Sequence, residues 1–287
     1  MLNAIVQAGF CLTGTWPART EQATRSVSMG TNALASSIVL VCRKRPDDAP
    51  FTTRRNFINE LKRELRPALK KLQQSNLAPV DLAQSSIGPG MGIFSKYSKV
   101  LESDGSSMTV RSALQAINQE IETYFNEQDG ELDSMSQFCV ALYTQHAFND
   151  MKYGDANTLA VAKNISIATL EERGVLYAQK GVVRLLDRAE IPEYKGSGER
   201  IMWLLTQQLT RAMETGGVKS CAEIVSQFFG STGEQAKALA YRLFTIAEKK
   251  GWAQEAYAYN ALVVSWPEIQ AMAAELASAP LEQVTLY

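Results

Sequence analysis

Two apolar runs near the start of the chain bracket a long polar segment. The runs cover residues 10–16 and 37–42, and a basic Arg43-Lys44-Arg45 follows the second run, which is rich in β-branched residues. A short β-branched run between turn-like flanks is typical of a buried strand. Because residues 1–8 have the pattern of a helix end, we predict helix, strand, polar excursion and strand over residues 1–46. We expect the apolar edge of residues 37–42 to be poorly packed or exposed, since two strands do not make a stable sheet by themselves.

Beyond residue 53 the apolar positions recur at helical spacing. The stripe over residues 54–75 repeats every three or four residues, which predicts an amphipathic helix. Its other face is basic and could lie on a DNA backbone, but Glu60 and Glu64 offset the charge, and we favour a solvated face. The basic residues are Arg63, Arg66, Lys70 and Lys71.

A glycine-rich segment interrupts the helical pattern. Three glycines and a proline in succession disfavour a helix interior, so we predict a loop at Gly88, Gly90 and Gly92. The segment lacks the lysine and Ser/Thr of a phosphate-binding loop. The cations and aromatic ring that follow could grip a nucleic-acid backbone or stack on a base, and a tight turn with a mixed flank is equally plausible. These residues are Lys96, Tyr97 and Lys99.

The remaining chain predicts helices around one small β segment. Residues 155–186 follow the order helix, turn, helix, hairpin, which is the order of a winged-helix module. Its second helix could lie on DNA, but Glu171 and Glu172 disfavour contact with phosphate, and such modules also pack against proteins. The DNA interpretation would use Lys163, Arg173, Lys180 and Arg184 for phosphate contacts.

The predicted fold is therefore mainly α with a small β component. We divide it into a sheet edge at 1–46, a helical region with the glycine-rich loop at 47–150, a winged-helix-like segment at 151–195 and a helical bundle at 196–287. Within the bundle we predict helices over residues 199–214, 220–229, 232–250 and 253–277, separated by glycines. The aromatic residues of the last region lie at helical spacing, which favours core positions over a base-stacking surface.

Composition narrows the possible chemistry. The chain has 29 basic and 30 acidic residues, so any DNA binding must use local patches. The four cysteines are too widely separated for a zinc site, and we expect free thiols and no metal. His146 is the only histidine, and with no thiol or carboxylate partner evident it is a weak candidate for catalysis. The absence of a targeting segment or a membrane span predicts a cytoplasmic protein.

Five stretches resemble a family of adenine-specific DNA methylases found in prokaryotic phage-defence clusters. In chain order they are TWPARTE at 15–21, NALASSIVLVCRKR at 32–45, DLAQSSIGPGMGIFSKYSKVLESDG at 81–105, YGDANTLAVAKN at 153–164, and LAYRLFTIAEKKGWAQEAYAYNALVVSWPEI at 239–269. Several separate motifs in the same order make the resemblance specific. The first two are similar to the end of the family's catalytic domain.

The resemblance implies S-adenosylmethionine as cofactor and DNA as substrate. Such enzymes bind the cofactor at a glycine-rich turn after their first strand, and hold the extruded adenine with an Asp/Asn-Pro-Pro-aromatic motif. This sequence contains neither motif, nor the family's cysteine-rich zinc segment. We therefore expect the chain to be the C-terminal portion of such a methylase, unable to methylate DNA by itself, with a catalytic half or other defence proteins as partners.

By the same resemblance, the polar excursion between the first two strands would face the target-base pocket. Its arginines would contact phosphate, and its tryptophan would pack or stack. The alternative is that Trp16 ends a strand and that Arg19 and Glu21 form a surface pair. The candidate DNA-binding residues here are Trp16, Arg19, Thr20, Glu21, Arg25 and Asn32.

Two classes of function stay open. One is the methylase portion, which would close the sheet and contact DNA for a catalytic half. The other is a non-enzymatic module of a defence system, in which the winged segment and the helical bundle dock DNA or a protein partner.

Overall fold

A computed structural model of the chain describes residues 1–19, 36–75, 77–193, 201–228 and 231–278. Its contacts divide the chain into two compact units, unit 1 over Met1–Gln128 and unit 2 over Asp129–Tyr287. Helices dominate both units, and the described strands form sheets of only two or three strands. The prediction of a mainly α fold with a small β component is confirmed.

Unit 1 contains a two-stranded antiparallel hairpin, a short parallel strand pair and long helices. The parallel pair joins β3 to β4. The elements are α1 (Leu2–Gln7), β1 (Phe10–Arg19), β2 (Ser36–Lys44), β3 (Thr52–Thr53), α2 (Arg54–Gln74), α3 (Pro79–Ser95), β4 (Val100–Leu101) and α4 (Val110–Gly130), whose residues up to 128 belong to this unit.

The β1–β2 hairpin has one covered face and one open face. Along β2, Ile38 and Leu40 are half-buried, whereas Val39 and Val41 are exposed. This alternation is expected because successive strand side chains point to opposite faces. The register pairs Val39 with Trp16, which places the tryptophan on the open face. The expected exposure of this apolar stretch is thus confirmed at Val39 and Val41.

The predicted glycine-rich loop is wrong, because α3 runs unbroken through Gly88, Gly90 and Gly92. A Cβ on Gly88 would lie 2.1 Å from the Thr15 side chain, and one on Gly90 would lie 2.7 Å from Ile117. A Cβ on Gly92 would approach the Leu12 carbonyl oxygen to 3.2 Å. The glycines therefore allow α3 to approach β1 and α4 closely, and this packing outweighs their low helix propensity.

A buried hydrogen bond holds the hairpin to the same helix. The Leu12 backbone N–H donates to Ser95 Oγ at 2.8 Å, and both residues are buried. The serine satisfies a strand N–H that would otherwise be buried without a partner. Helix α3 thus positions β1 both by shape and by hydrogen bonding.

Unit 2 combines a small three-stranded sheet with a helical bundle. The sheet is antiparallel with the order β5-β7-β6, and the positive φ angles of Lys180 and Gly181 form a tight turn between β6 and β7. The elements are α5 (Ser134–His146), β5 (Met151–Lys152), α6 (Tyr153–Val161), α7 (Ile167–Glu172), β6 (Leu176–Gln179), β7 (Val182–Leu185), α8 (Met202–Val225), α9 (Thr232–Lys250), α10 (Ala253–Val264) and α11 (Trp266–Ser278).

The core of unit 2 is rich in aromatic rings. Tyr143 packs against Trp203, Trp252 and Tyr259 with centroids 5.3 to 6.3 Å apart. Arg188 lies over the Tyr259 ring and forms an ion pair of 2.8 Å with Glu255. The core interpretation of the bundle aromatics is confirmed for the fully buried Trp203, Tyr241, Tyr259 and Trp266.

The described ranges lack a membrane-spanning helix and a metal-binding cluster. No helix within them is long and apolar enough to cross a membrane. Within the same ranges, no three His, Cys, Asp or Glu side chains are grouped so that they could hold a metal ion.

Candidate nucleic-acid interface

The described site candidates belong to unit 1, where Gly88 and Gly90 are buried in α3 and Trp16, Lys96 and Lys99 are exposed. Arg19 ends β1. Apart from Gly90, which packs against Ile117, the other described candidates line two separate depressions. Four further candidates lie outside the described residues: Thr20, Glu21, Arg25 and Asn32.

The first depression, which we name the Trp16 groove, has a volume of about 620 Å³. It runs along residues 12–16 of β1 and is walled by α2 and α3. It brings together Trp16, Gly88, Gly92 and Lys96, which come from two distant predicted segments. Its walls are mostly apolar and include Ala68, Leu72, Pro89 and Ile93.

Trp16 is unusually exposed for a tryptophan, at 66% of its accessible surface. A Cβ on Gly14 would lie 3.3 Å from the indole Nε1 and 3.8 Å from Val41 Cβ. The indole therefore lies against the bare backbone of Gly14. The β1 register shifts between Leu12 and Gly14, and this bulge directs the side chains that follow it.

Lys96 and Tyr97, which directly follow α3, both contact the carboxylate of Glu60 on α2. Lys96 Nζ lies 2.6 Å from Glu60 Oε1, and the Tyr97 hydroxyl donates to Glu60 Oε2 at 2.6 Å. Burial would raise the pKa of Glu60, but these two hydrogen bonds outweigh it and the pKa is lowered. Burial and the bond to Glu60 raise the pKa of Tyr97 to about 12, so the hydroxyl stays protonated at neutral pH. Glu60 therefore offsets the charge of Lys96.

The second depression, which we name the basic cleft, has a volume of about 1070 Å³. Three cations line it, and none of the described residues in its lining is Asp or Glu. Its floor includes the apolar Phe94, Val100 and Met108, and Tyr97 contributes to one wall. The cations are Arg45, Lys99 and Arg111.

Each cation of the basic cleft is held by a different element. Arg45 follows β2 and donates to the carbonyl oxygens of Ser95 and Tyr97 at 3.3 and 3.1 Å. Lys99 immediately precedes β4, and Arg111 lies in the first turn of α4. Thr109 caps the N-terminus of α4, where its Oγ1 accepts a hydrogen bond from the Ser112 N–H at 3.1 Å.

Of the cleft cations, only Lys99 was a candidate from the sequence. Arg45 belongs to the basic run after the second predicted strand, and Arg111 follows Thr109, a residue type favoured at helix N-caps, by two residues. Those two features were the available signals. They do not indicate a site until the fold brings Arg45, Lys99 and Arg111 together.

Other candidate cations are engaged by carboxylates. On α2, Arg63 pairs with Glu64 at 2.9 Å, and Arg66 pairs with the nearly buried Glu120 at 3.3 Å. These pairs agree with the solvated-face interpretation of this helix. In unit 2, Arg184 donates to both carboxylate oxygens of Glu190. Lys163 is the exception, since it donates to the side-chain amide oxygen of Gln137 at 3.0 Å.

Comparison with known proteins assigns the chain to a family. A family described as a domain of unknown function, DUF8807, matches residues 133–286, more than half of the chain. The chain belongs to the DUF8807 family. No curated protein and no solved structure matches it. The DUF8807 match spans α5 to α11 of unit 2, whereas the Trp16 groove and the basic cleft lie in unit 1.

Proposed function

We propose that this chain is the C-terminal, DNA-contacting and structural portion of an adenine-specific DNA methyltransferase that uses S-adenosylmethionine. The observation that carries the DNA contact is the basic cleft, with its three cations and no described carboxylate in the lining. The chain as a whole is nearly neutral. A nearly neutral protein needs a local cluster of positively charged side chains to bind phosphate.

The chemistry of the basic cleft suits phosphate oxygens. Arg111 offers a planar fork of donors and Lys99 a point charge for phosphate oxygens. Arg45 adds its positive charge, although its Nη1 already donates to the carbonyl oxygens of Ser95 and Tyr97. The first turn of α4, which includes Arg111, adds the partial positive charge of a helix amino end. Such contacts position a nucleic acid without reading its sequence.

The resemblance to adenine-specific methylases supports the remainder of the proposal. Two of the three cleft cations belong to the resembling stretches, since Arg45 ends the stretch at 32–45 and Lys99 lies in the stretch at 81–105. S-adenosylmethionine, where the partner half binds it, supplies the methyl group. The residues of this chain would hold the DNA backbone and support the sheet edge.

A second candidate function comes from unit 2. Its support is the order α5-β5-α6-α7-β6-β7 with the strand order β5-β7-β6, which is compatible with the winged-helix module expected from the sequence. Its short second helix α7 exposes Glu171 and Glu172, which favours a protein partner over phosphate. This alternative describes a non-enzymatic binding module of a prokaryotic defence system.

The test of DNA contact is a pair of matched charge reversals. The cleft variant is Lys99→Glu/Arg111→Glu, and the control is Arg55→Glu/Lys70→Glu, which changes the charge equally at exposed positions outside the cleft. Fluorescence anisotropy would follow binding of a labelled duplex of about 20 base pairs as the salt rises from about 50 mM. We expect the cleft variant to bind at least about 10-fold more weakly, with a salt slope reduced by roughly two.

Two results would overturn the proposal. One is an equal loss of affinity in the two double variants, since general charge would then explain the binding. The other is an unmodified chain that does not bind DNA at low salt. Separately, incubation with labelled S-adenosylmethionine and duplex DNA should give no methyl transfer, and clear transfer would refute the inactivity of the isolated chain.

A further inference from the structure

We infer that the Trp16 groove holds an unpaired nucleobase stacked on Trp16, and that unit 1 therefore prefers single-stranded DNA to duplex DNA. The inference rests on the proposed DNA contact and adds the form of the nucleic acid. It starts from the exposure of Trp16, whose side chain is 66% accessible. By contrast, Trp203 and Trp266 are fully buried.

Strand β1 supports the indole ring of Trp16 from one side. Gly14 supplies no side chain, so the indole lies against the backbone, with Val41 beside it. Any larger residue at position 14 would meet the indole at 3.3 Å. An indole that contacts the protein on one side and solvent on the other can stack on a base. Such stacking does not depend on the base sequence of the nucleic acid.

The space beside Trp16 has the size and lining of a site for a flat organic group. Its volume of about 620 Å³ lies within the range of small-molecule sites, roughly 300–1,000 Å³. Pro89 and Ile93 give it an apolar wall, and the exposed Lys71 lies at its margin. Glu64 also lines it, but this carboxylate is paired with Arg63 at 2.9 Å.

The charge of the hairpin favours a polyanion over a protein partner. Neither β1 nor β2 contains Asp or Glu, whereas β2 ends in Arg43 and Lys44. The register places Arg43 on the face that carries Val39 and Val41. This open apolar face has few side chains, and a stable protein interface uses roughly 20–30 residues on each side.

The two depressions can belong to one continuous track. Val39 lies opposite Trp16, and Arg45, which lines the basic cleft, follows it by six residues. At a rise of about 3.3 Å per residue, this part of the chain spans roughly 20 Å. That length suits a few nucleotides of a single strand, whose bases are free to stack, whereas duplex bases present only their edges.

The test uses the full chain and a labelled oligothymidine of about 12 nucleotides, compared with a duplex of the same length. Trp16→Ala should weaken single-strand binding about 5- to 100-fold, and Trp16→Phe should keep most of it. Phe51→Ala is the matched control, because Phe51 is equally exposed, at 66%, and lines neither depression. Oligothymidine should also quench tryptophan emission in the unmodified chain and in Phe51→Ala, but far less in Trp16→Phe.

The possible results separate this inference from the proposed function. If the cleft variant loses DNA binding while Trp16→Ala binds single strands normally, the inference is wrong and the DNA contact stands. Equal binding of duplex and single strand also overturns the inference. If the unmodified chain binds neither nucleic acid, both fail. A Trp16→Ala change that alters only the oligomeric state would identify a protein interface instead and refute the base-stacking role.

Discussion

Glu60 controls two of the residues that the sequence nominated for DNA binding. Its carboxylate accepts from Tyr97 and pairs with Lys96, so neither side chain presents an unengaged polar group to a ligand. The side chain of Glu60 is only 14% exposed, whereas that of Lys96 is 42% exposed. The hydrogen bonds therefore contribute more to local stability than the solvent-screened charge attraction does.

Glu60→Gln should remove a pH-dependent part of the stability. Because folding lowers the pKa of Glu60 below its ordinary 4.5, its contribution is complete above that pH and is lost as the pH falls through the lowered pKa. We expect the variant to lose about 1 kcal/mol at pH 7, and the difference from the unmodified chain to shrink below about pH 4.5. Urea unfolding at a series of pH values measures it.

The exposed Glu131→Gln provides the control for this measurement, since it should leave the pH profile nearly unchanged. A Glu60→Gln variant with the same loss at every pH would contradict the role assigned to the ionised carboxylate. In that case the loss would reflect packing rather than charge.

At the scale of single elements, the contact between α3 and β1 is the tightest packing described in unit 1. Gly88 lies where an added methyl group would overlap the Thr15 side chain at 2.1 Å. The overlap involves Thr15 Cβ as well as its terminal atoms, so a rotation of the side chain cannot relieve it fully. The hairpin or the helix would have to move.

Gly88→Ala should therefore destabilise unit 1 although alanine is the better helix former. We expect a loss of about 1–3 kcal/mol from overpacking, only partly offset by a gain of up to about 1 kcal/mol in helix propensity. Gly130→Ala is the control, because the last residue of α4 has open space around its Cα and should be neutral or slightly stabilising. Thermal unfolding of both variants compares them, and a stabilised Gly88→Ala would refute the tight contact.

The helices with regular apolar stripes could be predicted from the sequence. The expected helix over 54–75 is α2 (Arg54–Gln74), and the one over 232–250 has the predicted bounds in α9 (Thr232–Lys250). In both, the amphipathic period and the flanking turns agree with the packing. The local pattern is sufficient where one face is buried and the other is solvated.

Secondary structure predicted from the sequence was wrong where tertiary packing overrides local helix propensity. The glycines of α3 have poor helix propensity, and only the three-dimensional contacts with Thr15 and Ile117 reveal why they are in a helix. The predicted single helix over 253–277 is two helices, α10 and α11, that meet at Ser265. Pro267 was the available signal for that break, since proline is favoured in the first turn of a helix.

The candidate site was predictable only in part. Trp16 and Lys96 were both nominated, but 80 positions separate them, and no local pattern indicates that they line one groove. Arg45 and Arg111 were not nominated, because each looks like an ordinary flank of its own element. Contacts between distant segments form the candidate site, so local sequence patterns can indicate single residues of it but not that these residues lie together.

At the scale of the whole molecule, the family assignment and the proposed DNA site fall in different units. The DUF8807 match begins at residue 133, close to the unit boundary at Asp129. Unit 2 has its own aromatic core and its own half-buried ion pairs, including Arg242 with Asp129 at 2.9 Å. Both features are expected of a domain that can fold independently.

A fragment of residues 129–287 should therefore fold by itself. We expect helical circular dichroism and one cooperative thermal transition, because the fragment retains the Arg242–Asp129 pair and the rings around Tyr143. The fragment should bind duplex and single-stranded DNA much more weakly than the whole chain, since both depressions are in unit 1. Anisotropy with the same labelled oligonucleotides measures this.

DNA binding by the fragment equal to that of the full chain would move the site to unit 2. A fragment without a cooperative transition would show that the unit needs residues before 129 for stability. Either result would contradict the division of labour proposed for the two units.

The hydrogen bond from Leu12 to Ser95 also bears on how the protein is made. Its two residues are 83 positions apart, so β1 cannot pack against α3 until α2 and α3 have been synthesised. The hairpin is complete at Lys44, 51 positions before Ser95, and at about 5–20 residues per second a ribosome adds that length in roughly 3 to 10 seconds. During this delay the nascent hairpin exposes Ile38 and Leu40 as well as Val39 and Val41, a β-branched stretch prone to aggregation. Yield of soluble protein should therefore depend on chaperones that shield the newly made hairpin.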